Sequence, residues 1–359
     1  LFDSMSRTVA SVQSGDIFPR SISEITAEWL SMTLGQSVSN LEAKRIGADR
    51  GMLGDVFRLT FDSSKGGTQS IIAKFASDRE ESRASALKAG IFLREISFYR
   101  EIAHMIESRV PQCFGAWYDD RTAEFLLLLE SISFDDTVDQ TVGISKREAE
   151  MMMMELARLH VPVAKLGAAA NSMFPFTENR RLINQKMFIQ RGWPNLRNIL
   201  DEPGEWDTEQ LIDGLAHAHR RAAGLPEVFL HGDVRADNLL YSPDRSEVVL
   251  VDWQGACLGA RTWDLAYFLI QCLTVDDREK WQSDLLMLYC DEVARVTPGI
   301  SHQNLFAEVE SELGIGAWFP LIVACSLFVV ADCTEPRTLQ LARTIAQRAL
   351  HMLEATGEL

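Results

Sequence analysis

The chain has 359 residues, of which 47% are hydrophobic, and it carries a formal net charge of −16 at pH 7. This length and hydrophobic content suffice for two domains, or for one bilobal unit with substantial cores. The acidic composition argues against a nucleic-acid partner, because a phosphate backbone needs a basic surface, and it favours neutral or cationic substrates over strongly anionic ones.

The cysteines and the apolar segments predict a cytoplasmic protein without a membrane partner. The longest apolar stretch, Ala317–Ala331, contains Pro320 and Ser326 and is about fifteen residues long, which is short for a membrane span and suits a buried helix. Residues 1–15 lack the basic start and apolar core of a secretory signal. The six cysteines form no Cys-x-x-Cys pair and predict buried, reduced thiols: Cys113, Cys257, Cys272, Cys290, Cys325 and Cys333.

The first predicted element is a capped amphipathic helix within residues 16–40. Thr26 is a suitable N-cap, Trp29 and Leu30 share the apolar face, and Gly35 lies beyond the helix end. Thr26 and Gly35 thus give the helix a defined start and stop.

Residues 41–61 predict two strands joined by a turn that contains Gly47, Gly51 and Gly54. Glycines let a backbone pass close to phosphate groups, and their amides can face such a ligand. The spacing differs from the three closely placed glycines of protein kinases. An ordinary hairpin turn and a phosphate-covering turn therefore both fit the pattern.

A lysine interrupts the apolar strand predicted at residues 70–75. Burial of Lys74 is costly unless an acidic group pairs with it. Residues 82–104 follow with helical periodicity, and Glu95 lies within the apolar stripe of that helix. We predict that Glu95 pairs with Lys74, although a solvent-exposed helix charge is the alternative for Glu95. Next comes a buried strand, 124–129, which ends at Glu130 and is followed by Ser131 and Ile132.

The strongest motif is the run from His231 to Asn238, followed by Asp252. Asp233 precedes Asn238 by five residues, and two short apolar runs around a turn led by Pro243 predict a hairpin that returns Asp252 to the side of Asn238. Phosphoryl transfer needs such groups: Asp233 to accept the proton of a substrate hydroxyl, and Asn238 and Asp252 to hold Mg²⁺.

The run His-Gly-Asp-x-Arg-x-Asp-Asn-Leu-Leu with Val-Asp-Trp-Gln resembles the aminoglycoside phosphotransferase and choline kinase superfamily, which has a protein-kinase-like fold. Within it, the motifs are most similar to the ecdysteroid-kinase-like (CHK-kinase-like) group. The resemblance extends over most of residues 41–270. It implies an α+β bilobal fold, with an antiparallel-sheet N-terminal lobe that carries one key helix and a mostly helical C-terminal lobe. We set the lobes at 16–130 and 131–359.

The same resemblance assigns roles to residues of the nucleotide-binding lobe. Lys74 would contact the α- and β-phosphates of ATP, and Glu95 would hold Lys74 in place. The carbonyl of Glu130 and the amide of Ile132 would contact the adenine edge, and a core strand with its exit is the alternative for these residues. The turn with Gly51 and Gly54 would cover the phosphates.

In the second lobe, the resemblance places Asp233 as the general base and Asn238 as a metal ligand together with Asp252. Arg235 would stabilise charge on the transferred phosphoryl group, and a surface arginine paired with Asp237 is the alternative. His160 and His231 are predicted to be structural, and so is Asp264, which could cap its helix and accept amide bonds from the Asp233 loop. The segment 171–200 has no clear period, so it predicts either an insert that lines the acceptor pocket or a loop-rich connection.

These assignments predict a kinase that transfers the γ-phosphoryl group of Mg-ATP to a hydroxyl of a small organic acceptor. The alternatives are a nucleotide-binding pseudokinase scaffold and a protein kinase. Only eleven residues separate Asp252 from Asp264, which leaves little chain for a segment that docks a peptide substrate. The oligomeric state does not follow from the sequence.

Overall fold

A computed structural model describes residues 18–46, 54–77, 83–84, 86–87, 90–132, 138–172, 179–202, 204–331 and 335–359. The chain forms two compact units. The first comprises the described residues of Leu1–Met105, Val110–Ser133 and Asp252–Gly255, and the second those of Ile106–Arg109, Phe134–Val251 and Ala256–Leu359.

The first unit is built on a five-stranded antiparallel sheet with the strand order β1-β2-β3-β5-β4. Its strands are β1 (Val38–Ile46), β2 (Gly54–Ser63), β3 (Thr68–Ala76), β4 (Cys113–Tyr118) and β5 (Phe125–Glu130). A tight turn joins β2 to β3, and Gly66 and Gly67 occupy positive φ angles of 115° and 69° there. The central position of β3 places Lys74 within the sheet.

Helix α1 (Ala27–Leu34) precedes the sheet and confirms the first predicted element. The Thr26 side chain accepts a hydrogen bond from the Trp29 amide at 3.1 Å, and Gly35 ends the helix at φ 60°. Leu30 is fully buried in a cluster with residues of the sheet, including Phe61 and Phe75.

Helix α2 (Ile91–Ser97) is shorter than the helix predicted over 82–104. Gly90 precedes it with a left-handed φ of 65°, which interrupts the regular α-helical hydrogen bonding. A π-helical turn, Phe98–Ile102, follows directly. Glu95, Ile96, Phe98 and Tyr99 are buried, so the predicted apolar face is correct although the helix is broken.

The second unit is mostly helical. Its helices are α3 (Lys146–Leu159), α4 (Val163–Leu166), α5 (Asn179–Arg197), α6 (Thr208–Ala222), α7 (Thr262–Cys272), α8 (Val275–Val296), α9 (His302–Val330) and α10 (Pro336–Ala355). Two antiparallel ribbons complete it: β6 (Glu227–Leu230) with β9 (Cys257–Ala260), and β7 (Leu239–Tyr241) with β8 (Val248–Leu250). The β7–β8 pair is the hairpin predicted after Asn238.

Helix α9 is the core helix against which other helices of this unit pack. A side chain at Gly316 would overlap the carbonyl of Thr262, so α9 and α7 approach closely only because that position is glycine. By length and composition α9 could cross a membrane, yet 61% of its most apolar 18-residue stretch is buried within the protein. The predicted apolar segment that begins at Ala317 is therefore part of a longer, largely packed helix.

Helix α5 excludes one of the two alternatives for residues 171–200, a loop-rich connection, and leaves the other, an insert that lines the acceptor pocket, as a prediction. Its buried positions are Gln185, Ile189, Gly192, Trp193 and Leu196. They recur at helical spacing, but a glutamine and a glycine at two of them obscure the apolar pattern. Gly192 lies against the backbone of Cys325 in α9, where any side chain would collide.

The predicted fold class is confirmed: an antiparallel-sheet N-terminal part with a key helix, and a mostly helical C-terminal part.

Candidate active site

In the first unit, the carboxylates of two separate segments meet around Lys74. The ammonium group of Lys74 on β3 donates to both carboxylate oxygens of Glu95 on α2, at 2.9 and 2.8 Å, and to Oδ1 of Asp252 at 2.9 Å. Lys74 and Glu95 have side chains that are only 12% and 1% exposed, whereas Asp252 is 33% exposed. The sequence predicted the Lys74–Glu95 contact, but not the contact with Asp252, which lies 178 residues from Lys74.

The electrostatics of this cluster keep Lys74 charged. Burial acts to lower the pKa of Lys74, but the negative charges of Asp252 and Glu95 outweigh burial and raise it. Burial raises the pKa of Glu95, against the opposing effect of Lys74. Two carboxylates share one ammonium group here, so the fully ionised cluster is net negative and can attract a cation at its more exposed member, Asp252.

Asp252 is held in an uncommon backbone conformation. Its φ of 65° lies in the left-handed region, which non-glycine residues rarely occupy and which is often found at functional sites. Trp253 anchors the next position: its buried ring stacks on Phe98, with ring centroids 3.7 Å apart and planes 10° apart. This packing of Trp253 against the π-helical turn fixes where the Asp252 carboxylate lies within the first unit.

Of the other predicted nucleotide-binding positions, Gly54, Glu130 and Ile132 lie in the first unit. Gly54 opens β2, and a side chain there would approach the Phe75 carbonyl to 2.7 Å, so strand pairing alone already requires glycine. Gly51 lies outside the described residues. Glu130 ends β5 and its amide donates to the Gln112 carbonyl at 2.8 Å.

The Asp233 loop of the second unit is fixed from beneath by Asp264. Both carboxylate oxygens of Asp264 accept hydrogen bonds from backbone amides of the loop, one from His231 at 2.7 Å and one from Gly232 at 2.9 Å. Asp264 is 1% exposed and lies in the first turn of α7, so it holds the loop but is not the N-cap of that helix, which is Arg261. Hydrogen bonds to a charged group of this kind are stronger than neutral ones.

Two histidines complete the support of the loop. The Nδ1 atom of His231 accepts a hydrogen bond from the amide of Asp233 at 3.2 Å, and its Nε2 atom donates one to the Val251 carbonyl at 3.1 Å. His160 is buried between Tyr289 at 2.7 Å and Asp264 at 3.4 Å, and burial lowers its pKa. Both rings are engaged by protein groups, as a structural role requires.

Asp233 is surrounded by donors on a partly exposed loop. Oδ2 accepts from Asn238 Nδ2 at 2.9 Å and from Arg235 Nε at 3.2 Å, and Oδ1 accepts from the Tyr267 hydroxyl at 2.7 Å. Arg235 also contacts Asp237 at 3.3 Å, so it bridges the two carboxylates. The loop therefore brings together Asp233, Arg235 and Asn238, as the sequence predicted.

Tyr267 is the residue of this site that the sequence reasoning missed. It lies three residues after Asp264 on the fully buried helix α7, so both side chains point to one helix face. The three-residue spacing from Asp264 was the sequence signal for this contact. A helix that supports the loop through Asp264 also places the residue one turn later next to that loop.

A metal would be held by few protein groups. Among the described residues, no group of three or more His, Cys, Asp or Glu side chains could hold a metal ion. Mg²⁺ typically uses one or two carboxylates together with substrate phosphates, and Asp252 in the first unit and the side-chain oxygen of Asn238 in the second unit are each a donor of that type. Val251, which directly precedes Asp252, donates its amide to the Asn238 carbonyl at 3.0 Å.

Comparisons with known proteins identify the family and the fold of the chain. The sequence model of the ecdysteroid kinase-like family matches residues 50–298. A Ralstonia eutropha protein assigned as an aminoglycoside phosphotransferase has a similar structure, with a TM-score of 0.59 at 15% identity over 92% of this chain and 97% of that one. Choline kinase from Cryptosporidium parvum gives 0.55 at 14% identity, over 89% and 91% of the two chains. Plasmodium vivax ethanolamine kinase gives 0.51 at 10% identity, over 88% and 81%. No curated protein sequence matches this chain.

Proposed function

Because this chain belongs to the ecdysteroid kinase-like family, we propose that it is an ATP-dependent small-molecule kinase. It transfers the γ-phosphoryl group of Mg-ATP to a hydroxyl of a small organic acceptor. The enzyme class is phosphotransferase with an alcohol group as acceptor.

The observation that carries this proposal is the buried ion cluster of Lys74, Glu95 and Asp252. Burial of Lys74 and Glu95 is expensive, and their pairing with each other recovers only part of that cost. Kinases need a lysine on β3, its glutamate partner and a metal-binding aspartate for phosphate binding. The cluster supports Lys74 as the ligand of the α- and β-phosphates, with Glu95 as the residue that orients it.

The roles in the second unit follow from the contacts of Asp233. As general base, Asp233 accepts the proton of the acceptor hydroxyl, and its 29% exposure keeps it reachable. Arg235 is close enough to stabilise charge on the transferred group while its contacts with Asp233 and Asp237 orient it. Asn238 and Asp252 would hold Mg²⁺, which neutralises phosphate charge when bound.

The adenine contacts complete the proposal for the nucleotide. The carbonyl of Glu130 and the amide of Ile132 would bind the adenine edge, since both follow directly from the end of β5. The turn that includes Gly51 and Gly54 would cover the phosphates.

The chain between Asp252 and α7 supports a small acceptor over a protein. A 3₁₀ turn at Trp253–Gly255 and strand β9 occupy this interval, and β9 pairs along its whole length with β6. A peptide-docking segment needs free chain here, and these elements use it for structure. The acceptor is therefore a compact hydroxylated molecule.

We further propose a cytoplasmic location, without nucleic-acid or membrane partners. Cys257, Cys272, Cys290 and Cys325 are buried free thiols, which is typical of a reducing compartment. The net charge of −16 disfavours a polyanionic partner.

A screen of acceptors tests the function. The protein is incubated with Mg-ATP and a panel of sterols, amino alcohols, sugars and aminoglycosides, and both nucleoside diphosphate and phosphorylated product are measured by mass spectrometry. We expect acceptor-dependent formation of a phosphate monoester. Binding of Mg-ATP without product from any acceptor would instead identify a nucleotide-binding scaffold, and site-specific phosphorylation of a protein that needs Asp233 would identify a protein kinase.

A further inference from the structure

The carboxylate of Asp233 has nearly all of its hydrogen-bonding positions filled. A carboxylate offers about four lone-pair positions, two on each oxygen. Asn238 and Arg235 fill those on Oδ2, and the Tyr267 hydroxyl fills one on Oδ1. Among the described residues no fourth donor reaches this carboxylate, so the remaining position lies on Oδ1.

Tyr267 is well suited to hold that oxygen in place. Its side chain is 2% exposed on a helix with every residue buried, and its ring packs against Phe319 of α9 with centroids 5.0 Å apart. Burial raises the pKa of Tyr267 well above its ordinary value, and the charge of Asp233 adds to this effect. The hydroxyl therefore remains protonated and acts as a donor to Asp233.

We propose that Tyr267 is a positioning residue that orients the Asp233 carboxylate and leaves Oδ1 as the oxygen that receives the acceptor's proton. This inference rests on the proposed kinase function. In the transfer step, the acceptor oxygen forms a bond to the γ-phosphorus while its proton passes to Oδ1. The bond between that phosphorus and the leaving diphosphate oxygen breaks, and its electron pair stays on the leaving oxygen.

The placement of the donors explains why a buried tyrosine matters for this step. Without the Tyr267 hydroxyl, Asn238 and Arg235 would still bind Oδ2, but no described side chain would hold Oδ1. The position of Oδ1 relative to the acceptor hydroxyl would then vary. Small displacements of a catalytic group cost rate because the reacting atoms must lie in near-attack geometry. The expected effect therefore falls on turnover and not on nucleotide binding.

The experiment compares Tyr267→Phe with Tyr241→Phe. Both changes remove one hydroxyl from a buried tyrosine of the second unit, but the Tyr241 hydroxyl has no hydrogen-bond partner among the described residues. With an acceptor found in the screen, Tyr267→Phe should lower kcat by about tenfold to a hundredfold and leave the KM for Mg-ATP unchanged. Tyr241→Phe should keep wild-type kcat.

A double-mutant cycle separates positioning from a general structural role. In an Asp233→Asn background, Tyr267→Phe should add little further loss of kcat, because both changes act through the same carboxylate. Denaturant unfolding of Tyr267→Phe, Asp233→Ala and the double variant should likewise show a non-zero coupling between the two residues. Equal kcat for Tyr267→Phe and Tyr241→Phe, full additivity in kcat, or zero coupling in unfolding would each overturn the inference. A wild-type protein without acceptor-dependent turnover, by contrast, would overturn the proposed function and this role with it.

Discussion

The charged cluster of the first unit and the Asp233 loop of the second unit are stabilised in different ways. Lys74 and Glu95 are almost completely buried, so the ion pairs that orient Lys74 for the proposed nucleotide binding also stabilise the unit. Asp233 is 29% exposed, and the support of its loop comes from another residue, the buried Asp264. Lys74 therefore contributes both to the stability of its unit and to the proposed nucleotide binding. In the second unit these contributions are divided: Asp264 stabilises the loop, and Asp233 has the proposed chemical role.

This difference predicts how substitutions behave in the two units. A change at Lys74 should lower both the free energy of unfolding and the affinity for nucleotide. A change at Asp233 should remove turnover from a protein that still folds. Each prediction below tests one side of the comparison.

The largest expected effect belongs to Lys74→Met. Removal of the ammonium leaves the buried Glu95 without its partner and next to the like charge of Asp252, and loss of one member of a buried ion pair costs about 3–5 kcal/mol. Chemical denaturation monitored by tryptophan fluorescence measures this loss. Lys44→Met, on the exposed surface of β1, is the matched control and should change the free energy of unfolding little. A Lys74→Met protein as stable as the control would show that the cluster does not contribute to stability.

A smaller effect is expected for Asp252→Ala. The Lys74–Glu95 pair remains intact in this variant, so the unit should fold, but the proposed metal ligand is lost. Affinity for Mg-ATP in isothermal titration calorimetry should fall by about tenfold or more, the scale of one interaction with a charged group. Asp120→Ala, in the exposed loop after β4, serves as control. Equal affinity of the Asp252 variant and the wild type for Mg-ATP would exclude Asp252 as a metal ligand.

The smallest effect concerns the second unit, where Glu292 accepts hydrogen bonds from Arg295 and Arg158. Those of Arg295 are the main cause of a Glu292 pKa of about 2, below the ordinary 4.5. A carboxylate with a depressed folded-state pKa stabilises the protein above its unfolded pKa, and this contribution is lost as the pH falls through the folded value. The stability difference between wild type and Glu292→Gln should therefore be full near neutral pH and shrink between about pH 5 and pH 2. Glu310→Gln, on the exposed face of α9, is measured alongside as the control. A wild-type advantage that persists unchanged at pH 2 would contradict this account.

Short-range patterns made much of the architecture predictable. The cap residues Thr26 and Gly35 determine where α1 begins and ends, and both act within a few residues. The two apolar runs after Asn238 form the β7–β8 hairpin for the same reason. The contacts within the Asp233 loop were predictable because the donors Arg235 and Asn238 lie within five residues of Asp233.

Features that depend on distant contacts were not predictable from the sequence. The polar appearance of α5 arises from Gln185 and Gly192. Both face inward because Gln185 hydrogen-bonds to His219 of α6 and Gly192 lies against the backbone of Cys325 in α9. Gly90 breaks the predicted helix before Glu95 by adopting a positive φ. The spacing of apolar residues in the sequence does not reveal that backbone angle. The contacts of Lys74 with Asp252 and of Tyr267 with Asp233 join residues 178 and 34 positions apart, so only the folded chain shows them.

The most direct test of the account is the rate of phosphorylated product formation by Asp233→Asn at saturating Mg-ATP. Asparagine cannot accept the acceptor's proton as a base, and loss of a general base typically costs two or more orders of magnitude in rate. The account predicts a fall of about a hundredfold or more in kcat, with unchanged affinity for Mg-ATP and nearly unchanged stability. An Asp233→Asn enzyme that forms product at close to the wild-type rate would contradict it.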